Sequence, residues 1–204
     1  MDKRICIGLD RDGTINQQLD GYCYKVEDFK PIPGSLEAIV NLKKDGFAVV
    51  VLTNQSGIAR HVYASWDVEN VHKHMSNLLY QKGQVDVDGY YHCPFAEESD
   101  NGRKPNIGMF LQAQRELRVN FHKGYYVGDK ISDLQAAVNM NITPILVRTG
   151  FGKLTEERLK RPEYAELAAK TKIFKDLAAF QAWVSLPLHT KPTSLKPAPH
   201  PNGE

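Results

Sequence analysis

Short apolar runs alternate with amphipathic segments along this chain. The runs are rich in Ile, Val and Leu and alternate little with polar residues, which is typical of strands that are buried on both faces of a parallel sheet. The predicted strands are Ile5–Leu9, Phe47–Leu52, Gly89–His92, Gly124–Val127 and Pro144–Val147, with a weaker sixth at Lys172–Phe174.

The segments between the strands carry apolar residues at helical spacing, as the positions from Leu36 to Leu42 illustrate. Asn106 is predicted to cap the N-terminus of the third helix, and Gly46 is predicted to end the first. The predicted helices are Ser35–Lys44, Trp66–Gln81, Ile107–Leu117, Ile131–Asn139 and Asp176–Val184.

Strands that alternate with helices predict an α/β fold, here a Rossmann-like, doubly wound parallel sheet of about five to six strands. We expect a single domain over residues 1–185. Residues 186–204 contain five prolines and few apolar residues, so they are predicted to form a disordered tail. Residues 11–33 form a long polar connection, and a connection of that length inside a compact domain is usually functional.

The composition limits the classes of function. The 204 residues are 42% hydrophobic and 25% charged, as in ordinary soluble globular proteins. A net charge of +2 gives no support for a nucleic-acid or membrane partner, and the longest apolar run is too short to span a bilayer. Three cysteines without framework spacing, and an N-terminus without a signal-peptide pattern, favour the reducing cytoplasm. We expect a cytoplasmic, monomeric enzyme or binding domain.

Polar clusters follow four of the predicted strands, at the edge where open α/β sheets bind ligands. The first is Asp10-Arg11-Asp12-Gly13-Thr14. A divalent cation would offset the repulsion between Asp10 and a phosphate dianion, so that Asp10 can attack phosphorus and form an aspartyl-phosphate. Asp12 could protonate the leaving alkoxide and then deprotonate water, and Gly13 would allow a sharp turn. An isolated Asp-x-Asp occurs by chance, whereas Asp-x-Asp-Gly-Thr after a buried strand is specific.

The second cluster provides hydrogen-bond donors after the second strand. Hydroxyl and amide groups there can donate to phosphoryl oxygens, although Asn, Ser and Gly also favour ordinary turns. Its position opposite the first cluster favours phosphate binding. The predicted phosphate-binding residues of this cluster are Thr53, Asn54, Gln55 and Ser56.

The third cluster is Arg103-Lys104-Pro105. An ammonium close to Asp10 would neutralise charge during phosphoryl transfer, and Arg103 could clamp a second anionic group. Taken alone, an Arg-Lys pair is usually a solvated loop. We therefore predict a functional role for Arg103 and Lys104 only because the other clusters are present.

The fourth cluster lies between Gly128 and Asp133. Its acids, Asp129 and Asp133, are four residues apart at a strand-to-helix turn, and carboxylates are preferred ligands of Mg²⁺. Asp133 could instead complement the N-terminus of the following helix. Asp129 is the stronger candidate for a metal ligand, and Lys130 is a candidate for binding the substrate.

These clusters, in this order, resemble the motifs of the haloacid dehalogenase (HAD) superfamily of phosphatases. The similarity runs from about Ile5 to Gly150 and is greatest to the heptose-1,7-bisphosphate 7-phosphatase branch, with the histidinol phosphatases as close relatives. The matching stretches are Leu9 to Asn16, Thr53 to Arg60, Arg103 to Pro105, Asp88 to Tyr91, Val127 to Lys130 and Val147 to Gly150.

The resemblance implies an HAD fold without a cap domain and removal of the C7 phosphate of D-glycero-D-manno-heptose 1,7-bisphosphate, a step in lipopolysaccharide precursor synthesis. It also implies the roles of the site residues. Asp10 would be the nucleophile and Asp12 the acid/base; Mg²⁺ would be held by Asp10, the Asp12 carbonyl and Asp129, with Asp133 as a further candidate; Thr53, Asn54 and Lys104 would bind the phosphoryl group and Arg103 the distal part of the substrate.

One motif of the family is missing. Many members carry a structural zinc loop, built on Cys-x-His and Cys-x-Cys, ahead of the Arg-Lys pair. Here only Cys93 remains, Phe95 takes the place of the His, and residues 96–102 contain no Cys or His. Because structural zinc needs four ligands, none is expected, and the loss of a loop that borders the pocket bears on substrate preference.

Other functions stay open at this point. A histidinol-phosphate phosphatase would share the chemistry and much of the motif set. A DNA 3′-phosphatase would need a basic surface that the charge count does not indicate. A phosphomutase would need a cap that shields the aspartyl-phosphate from water. A non-catalytic phosphosugar-binding protein should have lost a catalytic carboxylate, yet the acids of the first and fourth clusters are all present.

Overall fold

The computed structural model describes residues 4–97 and 100–186 of the chain. They form a six-stranded parallel sheet with helices on both faces, which confirms the predicted α/β class. The strands are β1 (Ile5–Leu9), β2 (Ala48–Asn54), β3 (Gly89–Cys93), β4 (Asn120–Gly128), β5 (Thr143–Val147) and β6 (Lys172–Phe174). The helices are α1 (Ser35–Lys44), α2 (Ser65–Gly83), α3 (Gly108–Leu117), α4 (Ile131–Asn139), α5 (Gly152–Leu159), α6 (Ala165–Lys170) and α7 (Leu177–Val184).

The strand order is β3-β2-β1-β4-β5-β6, so β1 lies between β2 and β4. After β1, the strands β2 and β3 are added on one side of it, and the chain then crosses to the other side, where β4, β5 and β6 follow. The carboxyl end of β1 is therefore the topological switch point, where open α/β sheets bind ligands. No cap interrupts this edge between β2 and β3, because residues 55–88 contain one helix, α2, that packs on the sheet.

The sheet is buried on both faces because alternate residues of its central strands enter different cores. Val49 and Val51 of β2 belong to the core formed with α1, α2 and α7. Val50 and Leu52 belong to the opposite core, formed with α3 and α4. This explains why the strands read as continuous apolar runs.

The ends of the helices were predicted with mixed success. Gly46 follows α1 with a φ of 85°, which confirms it as the residue that ends this helix. The prediction for Asn106 was wrong, since the N-cap of α3 is Ile107. The side chain of Asn106 donates instead to the carbonyl of Asp100, 2.8 Å away, so it stabilises the preceding loop.

Two other parts of the chain differ from the predictions. The strand β2 extends to Asn54, so that Thr53 and Asn54 belong to the strand rather than to a turn after it. The helices α5 and α6 were not predicted, because α5 is mostly polar and α6 has only six residues. The predicted tail lies outside the described residues except for Leu186.

The connection after β1 is more ordered than a plain loop. It contains the 3₁₀ turn Val26–Asp28 and β-bridges that pair Asn16 with Asp12 and with Pro31. These contacts fold the connection back over the end of the sheet. Within residues 4–97 and 100–186, no helix combines the length and apolar character that a membrane crossing requires.

Candidate active site

The first cluster begins at the end of β1. The backbone N–H of Asp10 donates to the carbonyl of Val127 on β4, at 2.8 Å, which fixes Asp10 at the switch point. Gly13 has a φ of 92°, as the predicted turn requires. A Cβ on Gly13 would lie 2.1 Å from Asp129 Oδ2, so this glycine also lets the first cluster approach the fourth.

Lys104 joins two of the buried carboxylates. Its Nζ lies 2.7 Å from Asp10 Oδ1 and 2.8 Å from Asp133 Oδ1. It also donates to the Leu52 carbonyl at 2.9 Å and to the Tyr126 hydroxyl at 2.7 Å. Burial lowers the pKa of Lys104, but Asp10 and Asp133 outweigh this effect and raise it, so the ammonium stays charged.

Asp129 is held at one oxygen and left open at the other. Its Oδ2 accepts the backbone N–H of Phe151 at 2.8 Å, and its carbonyl accepts the hydroxyl of Thr155. Its Oδ1 is buried and accepts no hydrogen bond from the described residues; Lys130 Nζ is 3.6 Å away. Burial, together with the charges of Asp10 and Asp133, raises the pKa of Asp129 to about 7.

The oxygens of Asp10, Asp129 and Asp133 form a site suited to a divalent cation. One oxygen from each lies within 4.8 Å of the others, and all three residues are buried. Asp133 Oδ2 accepts the backbone N–H of Lys130 at the start of α4, at 3.0 Å, as the alternative for this residue predicted. The open Oδ1 of Asp129 is a buried acceptor without a proton donor, and a hard cation satisfies such an oxygen.

Asp12 is surrounded by donors. Arg11 forms a bidentate pair with it, with Nη2 2.7 Å from Oδ2 and Nε 3.1 Å from Oδ1. Asn16 donates to Oδ1 and Gln55 to Oδ2, both at 3.2 Å. Burial raises the pKa of Asp12, but the charge and hydrogen bonds of Arg11 outweigh this effect and lower it. The carboxylate therefore stays ionised in this arrangement.

A cavity of about 240 Å³ opens above these groups. Every predicted site residue lines it except Asp129, which is buried beneath it. The cavity is also lined by Gln18, Gly21, Tyr22, Ser132 and Phe151. The structure thus brings all four clusters together, as the sheet topology predicted.

The second cluster divides into two parts. The side chain of Asn54 is occupied by Lys104: its Oδ1 accepts the Lys104 N–H at 3.0 Å and its Nδ2 donates to the Lys104 carbonyl at 3.1 Å. The Gln55 amide donates to Thr53 Oγ1 at 3.0 Å, as well as to Asp12. Since Thr53 Oγ1 accepts this bond, its own proton is available to a ligand.

The loop before Arg103 is stabilised by Asp100. Its Oδ1 accepts the N–H of Gly102 at 2.8 Å and lies 3.6 Å from the buried Cys93 Sγ. Arg103 Nη1 donates to the Phe95 carbonyl at 3.1 Å, while its buried Nε has no partner among the described residues. Hydrogen bonds therefore order this part of the loop, and zinc binding stays a matter of prediction.

Two tyrosines were missed in the sequence. Tyr126 on β4 accepts a hydrogen bond from Lys104 and donates to the Leu52 carbonyl at 2.7 Å. Because a buried tyrosine hydroxyl needs a hydrogen-bond partner, its occurrence in a strand buried on both faces could have identified Tyr126 from the sequence. Tyr63 donates to Gln55 Oε1 at 2.7 Å, and nothing local in the sequence indicates that contact.

Comparisons with known proteins agree with this geometry. A family profile described as "Polynucleotide kinase 3 phosphatase" matches residues 6–145. Relatives from Yersinia pestis and Photorhabdus laumondii, both called D-glycero-beta-D-manno-heptose-1,7-bisphosphate 7-phosphatase, are 46% and 44% identical over 153 and 151 residues. The alignments cover 71% and 70% of this chain and 80% and 79% of the relatives.

A solved structure supports the same assignment. The D,D-heptose 1,7-bisphosphate phosphatase from B. bronchiseptica, complexed with magnesium and phosphate, has a TM-score of 0.79 and 34% identity to this chain, covering 88% of this chain and 97% of that one. The profile and these alignments span most of the chain, including the sheet edge that carries the four clusters. The chain belongs to the heptose-1,7-bisphosphate 7-phosphatase family of HAD-type phosphatases.

Proposed function

We propose that this protein is a magnesium-dependent phosphatase that removes the C7 phosphate of D-glycero-β-D-manno-heptose 1,7-bisphosphate through an aspartyl-phosphate on Asp10. The observation that carries the proposal is the position of Asp10 and Asp12 in one cavity, with Lys104 Nζ 2.7 Å from Asp10. The names of the relatives supply the substrate and its β-anomer.

The metal ligands in this proposal are the carboxylates of Asp10 and Asp129 and the backbone carbonyl of Asp12. The bound Mg²⁺ supplies charge that offsets the repulsion between Asp10 and the phosphate dianion. Asp133 has a different part in the proposal, because Lys104 and the Lys130 N–H occupy its two oxygens. We assign it to fixing Lys104 and the start of α4, with any contact to the ion through water.

Asp10 attacks phosphorus as the bond between phosphorus and the sugar oxygen breaks. Lys104, with its ammonium at Asp10, stabilises the negative charge that spreads over the transferring phosphoryl group. Asp12 gives a proton to the departing sugar oxygen. It then takes a proton from the water that attacks the aspartyl-phosphate, which regenerates Asp10 and releases phosphate.

Asp12 must exchange partners in this cycle. An acid that donates a proton to the leaving group cannot keep all of its donors, and the Arg11 pair favours the ionised form. We assign the arrangement described above to the stage at which Asp12 acts as a base. The acidic stage requires a protonated carboxyl that leaves Arg11 and turns toward the cavity, while its unprotonated oxygen keeps the Gln55 amide as a donor.

The remaining polar groups bind and position the substrate. In this proposal the Thr53 hydroxyl and Ser56 donate to the phosphoryl oxygens, and Arg103 and Lys130 bind the distal phosphate; that all four line the cavity supports these roles. Asn54 contributes by holding the Lys104 backbone, which differs from the direct contact expected from the sequence. We further propose that the protein is a monomer with one domain over residues 1–185, and that it acts in the cytoplasm on a lipopolysaccharide precursor. In this proposal it binds no zinc and has no nucleic-acid or membrane partner.

A substrate panel tests this proposal. Purified protein with Mg²⁺ is assayed for phosphate release from the β- and α-heptose bisphosphates, histidinol phosphate and a 3′-phosphorylated oligonucleotide. We expect kcat/KM for the β-bisphosphate to exceed that for histidinol phosphate by at least about 100-fold, since the distal phosphate is bound only in the former. The oligonucleotide is included because of the name of the family profile. Equal or reversed rates would overturn the assigned substrate.

A further inference from the structure

We propose that Tyr63 is a positioning residue for Asp12 and acts through the side-chain amide of Gln55. Tyr63 does not line the cavity, so its influence on the reaction must pass through a neighbour. The inference rests on the proposed function, because it assumes that Asp12 serves as the acid/base.

The Gln55 side chain is buried, and its amide has a defined orientation. Its nitrogen donates to Asp12 Oδ2 at 3.2 Å and to Thr53 Oγ1 at 3.0 Å, and its oxygen accepts the Tyr63 hydroxyl at 2.7 Å. These bonds use both amide protons. Gln55 therefore contributes by connecting Asp12, Thr53 and Tyr63, rather than by a free amide directed at phosphate.

The Tyr63 hydroxyl and the Asp12 carboxylate both favour this orientation over the flipped one. In the flipped amide, the oxygen would face the Asp12 carboxylate and the nitrogen would face Tyr63. Burial raises the pKa of Tyr63 to about 12, so its hydroxyl keeps its proton and remains a donor at neutral pH. Its bond to Gln55 Oε1 therefore adds to the preference of the Asp12 carboxylate for the Gln55 nitrogen.

The Tyr63 ring is itself held firmly. It stacks on Tyr24, with centroids 4.9 Å apart and planes inclined by 8°, and meets the edge of Tyr22 at 5.3 Å. Gly57 packs against it so closely that a Cβ there would lie 2.1 Å from the ring. Tyr22 lines the cavity. Tyr63 thus connects Tyr22, in the connection after β1, to Gln55 and through it to the Asp12 carboxylate.

Tyr63→Phe is the test, because it removes the hydroxyl and keeps the ring contacts. The readout is kcat/KM for two phosphate monoesters, the alkyl heptose bisphosphate and p-nitrophenyl phosphate. The alkyl oxygen needs a proton from Asp12 to leave, whereas nitrophenolate leaves without one. We expect a loss of about tenfold on the alkyl ester and little change on the aryl ester.

Matched variants separate positioning from folding. Tyr80→Phe removes the hydroxyl of an exposed tyrosine and should leave both rates unchanged. Gln55→Ala should also lower kcat/KM more for the alkyl ester than for the aryl ester. The double variant with Tyr63→Phe should have the same kcat/KM values as Gln55→Ala alone. Unfolding temperatures of all variants show whether any loss follows from stability. If Tyr63→Phe does not fold, Gln55→Ala alone decides: equal losses on both esters in that variant would overturn the inference, because Tyr63 is proposed to act through Gln55.

The outcomes distinguish this inference from the proposed function. Equal losses on both esters, or additive effects of the two substitutions, would overturn the role of Tyr63. Asp12→Asn serves as the reference, because it should show the largest difference between alkyl and aryl esters. If Asp12→Asn shows no such difference, the acid role in the proposed function fails instead.

Discussion

Lys104 Nζ lies 2.7 Å from Asp10 Oδ1, although the two residues are 94 positions apart in the chain. The contact exists because β1 delivers Asp10 to the switch point while Asn54, at the end of the adjacent β2, holds the Lys104 backbone. Four buried partners surround the ammonium, so its position is strongly determined.

Replacing Lys104 with Met should remove most of the activity. The substitution keeps the length of the side chain and deletes the charge between Asp10 and Asp133. We expect kcat to fall by about 10²–10³-fold, the usual effect of losing one preorganised charge at a phosphoryl or oxyanion site. Steady-state kinetics checks this, and Lys130→Met, which alters a half-exposed ammonium, should reduce kcat much less. Similar losses in the two variants would contradict the assigned role.

Mg²⁺ should stabilise the protein through Asp129. Its open, buried Oδ1 gains a partner when a cation binds, and binding to the folded state raises the unfolding temperature. Thermal unfolding with and without Mg²⁺ is the measurement. We expect a clear increase in the wild type and almost none in Asp129→Asn, which has nearly the same shape without the charge. An equal increase in both proteins would place the ion elsewhere.

Gly13→Ala should be more damaging than Gly46→Ala. Both glycines have a positive φ, 92° and 85°, so both substitutions strain the backbone by about 1 kcal/mol. Only at Gly13 does the new Cβ collide with another residue, at 2.1 Å from Asp129 Oδ2, whereas at Gly46 nothing lies within 4 Å. Urea unfolding should therefore show a larger loss of stability for Gly13→Ala, together with a loss of activity that Gly46→Ala lacks. Equal losses would mean that the approach of the two clusters is not tight.

His72 should make the fold sensitive to acid. Burial, with a further contribution from Arg11, lowers its pKa to about 3, against about 6.5 in an unfolded chain. Between these values the unfolded chain binds a proton that the folded protein excludes, so stability falls as the pH drops from about 6.5 towards 3.

The measurement for His72 is the free energy of unfolding as a function of pH. Between about pH 6.5 and 3, the free energy of unfolding of His72→Gln should fall less than that of the wild type, by an amount on the order of a few kcal/mol. His122→Gln, at an exposed histidine, is the control and should keep the wild-type slope. An unchanged slope in His72→Gln would show that this histidine is not responsible.

The sequence predicted the parts of the site that depend on strand ends. Asp10, Thr53, Lys104 and Asp129 could be placed together because parallel strands end at one edge of the sheet. The sequence did not reveal which donor forms a hydrogen bond with which acceptor. Asn54 reads as a phosphate ligand, and only the folded chain shows its side chain bound to Lys104.

The residues that were missed share one property. Tyr63 and Tyr126 both contribute a hydroxyl whose partner follows no regular spacing: Lys104 meets Tyr126 from a different part of the chain, and Gln55 lies eight positions before Tyr63 in one irregular connection. The helices α5 and α6 were missed because their amphipathic pattern is weak or short, and packing on β5 and α4 decides their structure. Local patterns thus predicted the frame, and tertiary contacts decided the rest.

The central claim, a covalent phosphatase that uses Asp10, is tested most directly by Asp10→Asn. This change keeps nearly the same shape and removes the nucleophilic charge. With Mg²⁺ and the β-heptose bisphosphate, we predict that the wild type releases phosphate and that acid-quenched samples carry a phosphoryl group on the peptide containing Asp10. Asp10→Asn should give neither signal above background, whereas phosphate release at the wild-type rate by Asp10→Asn would contradict the account.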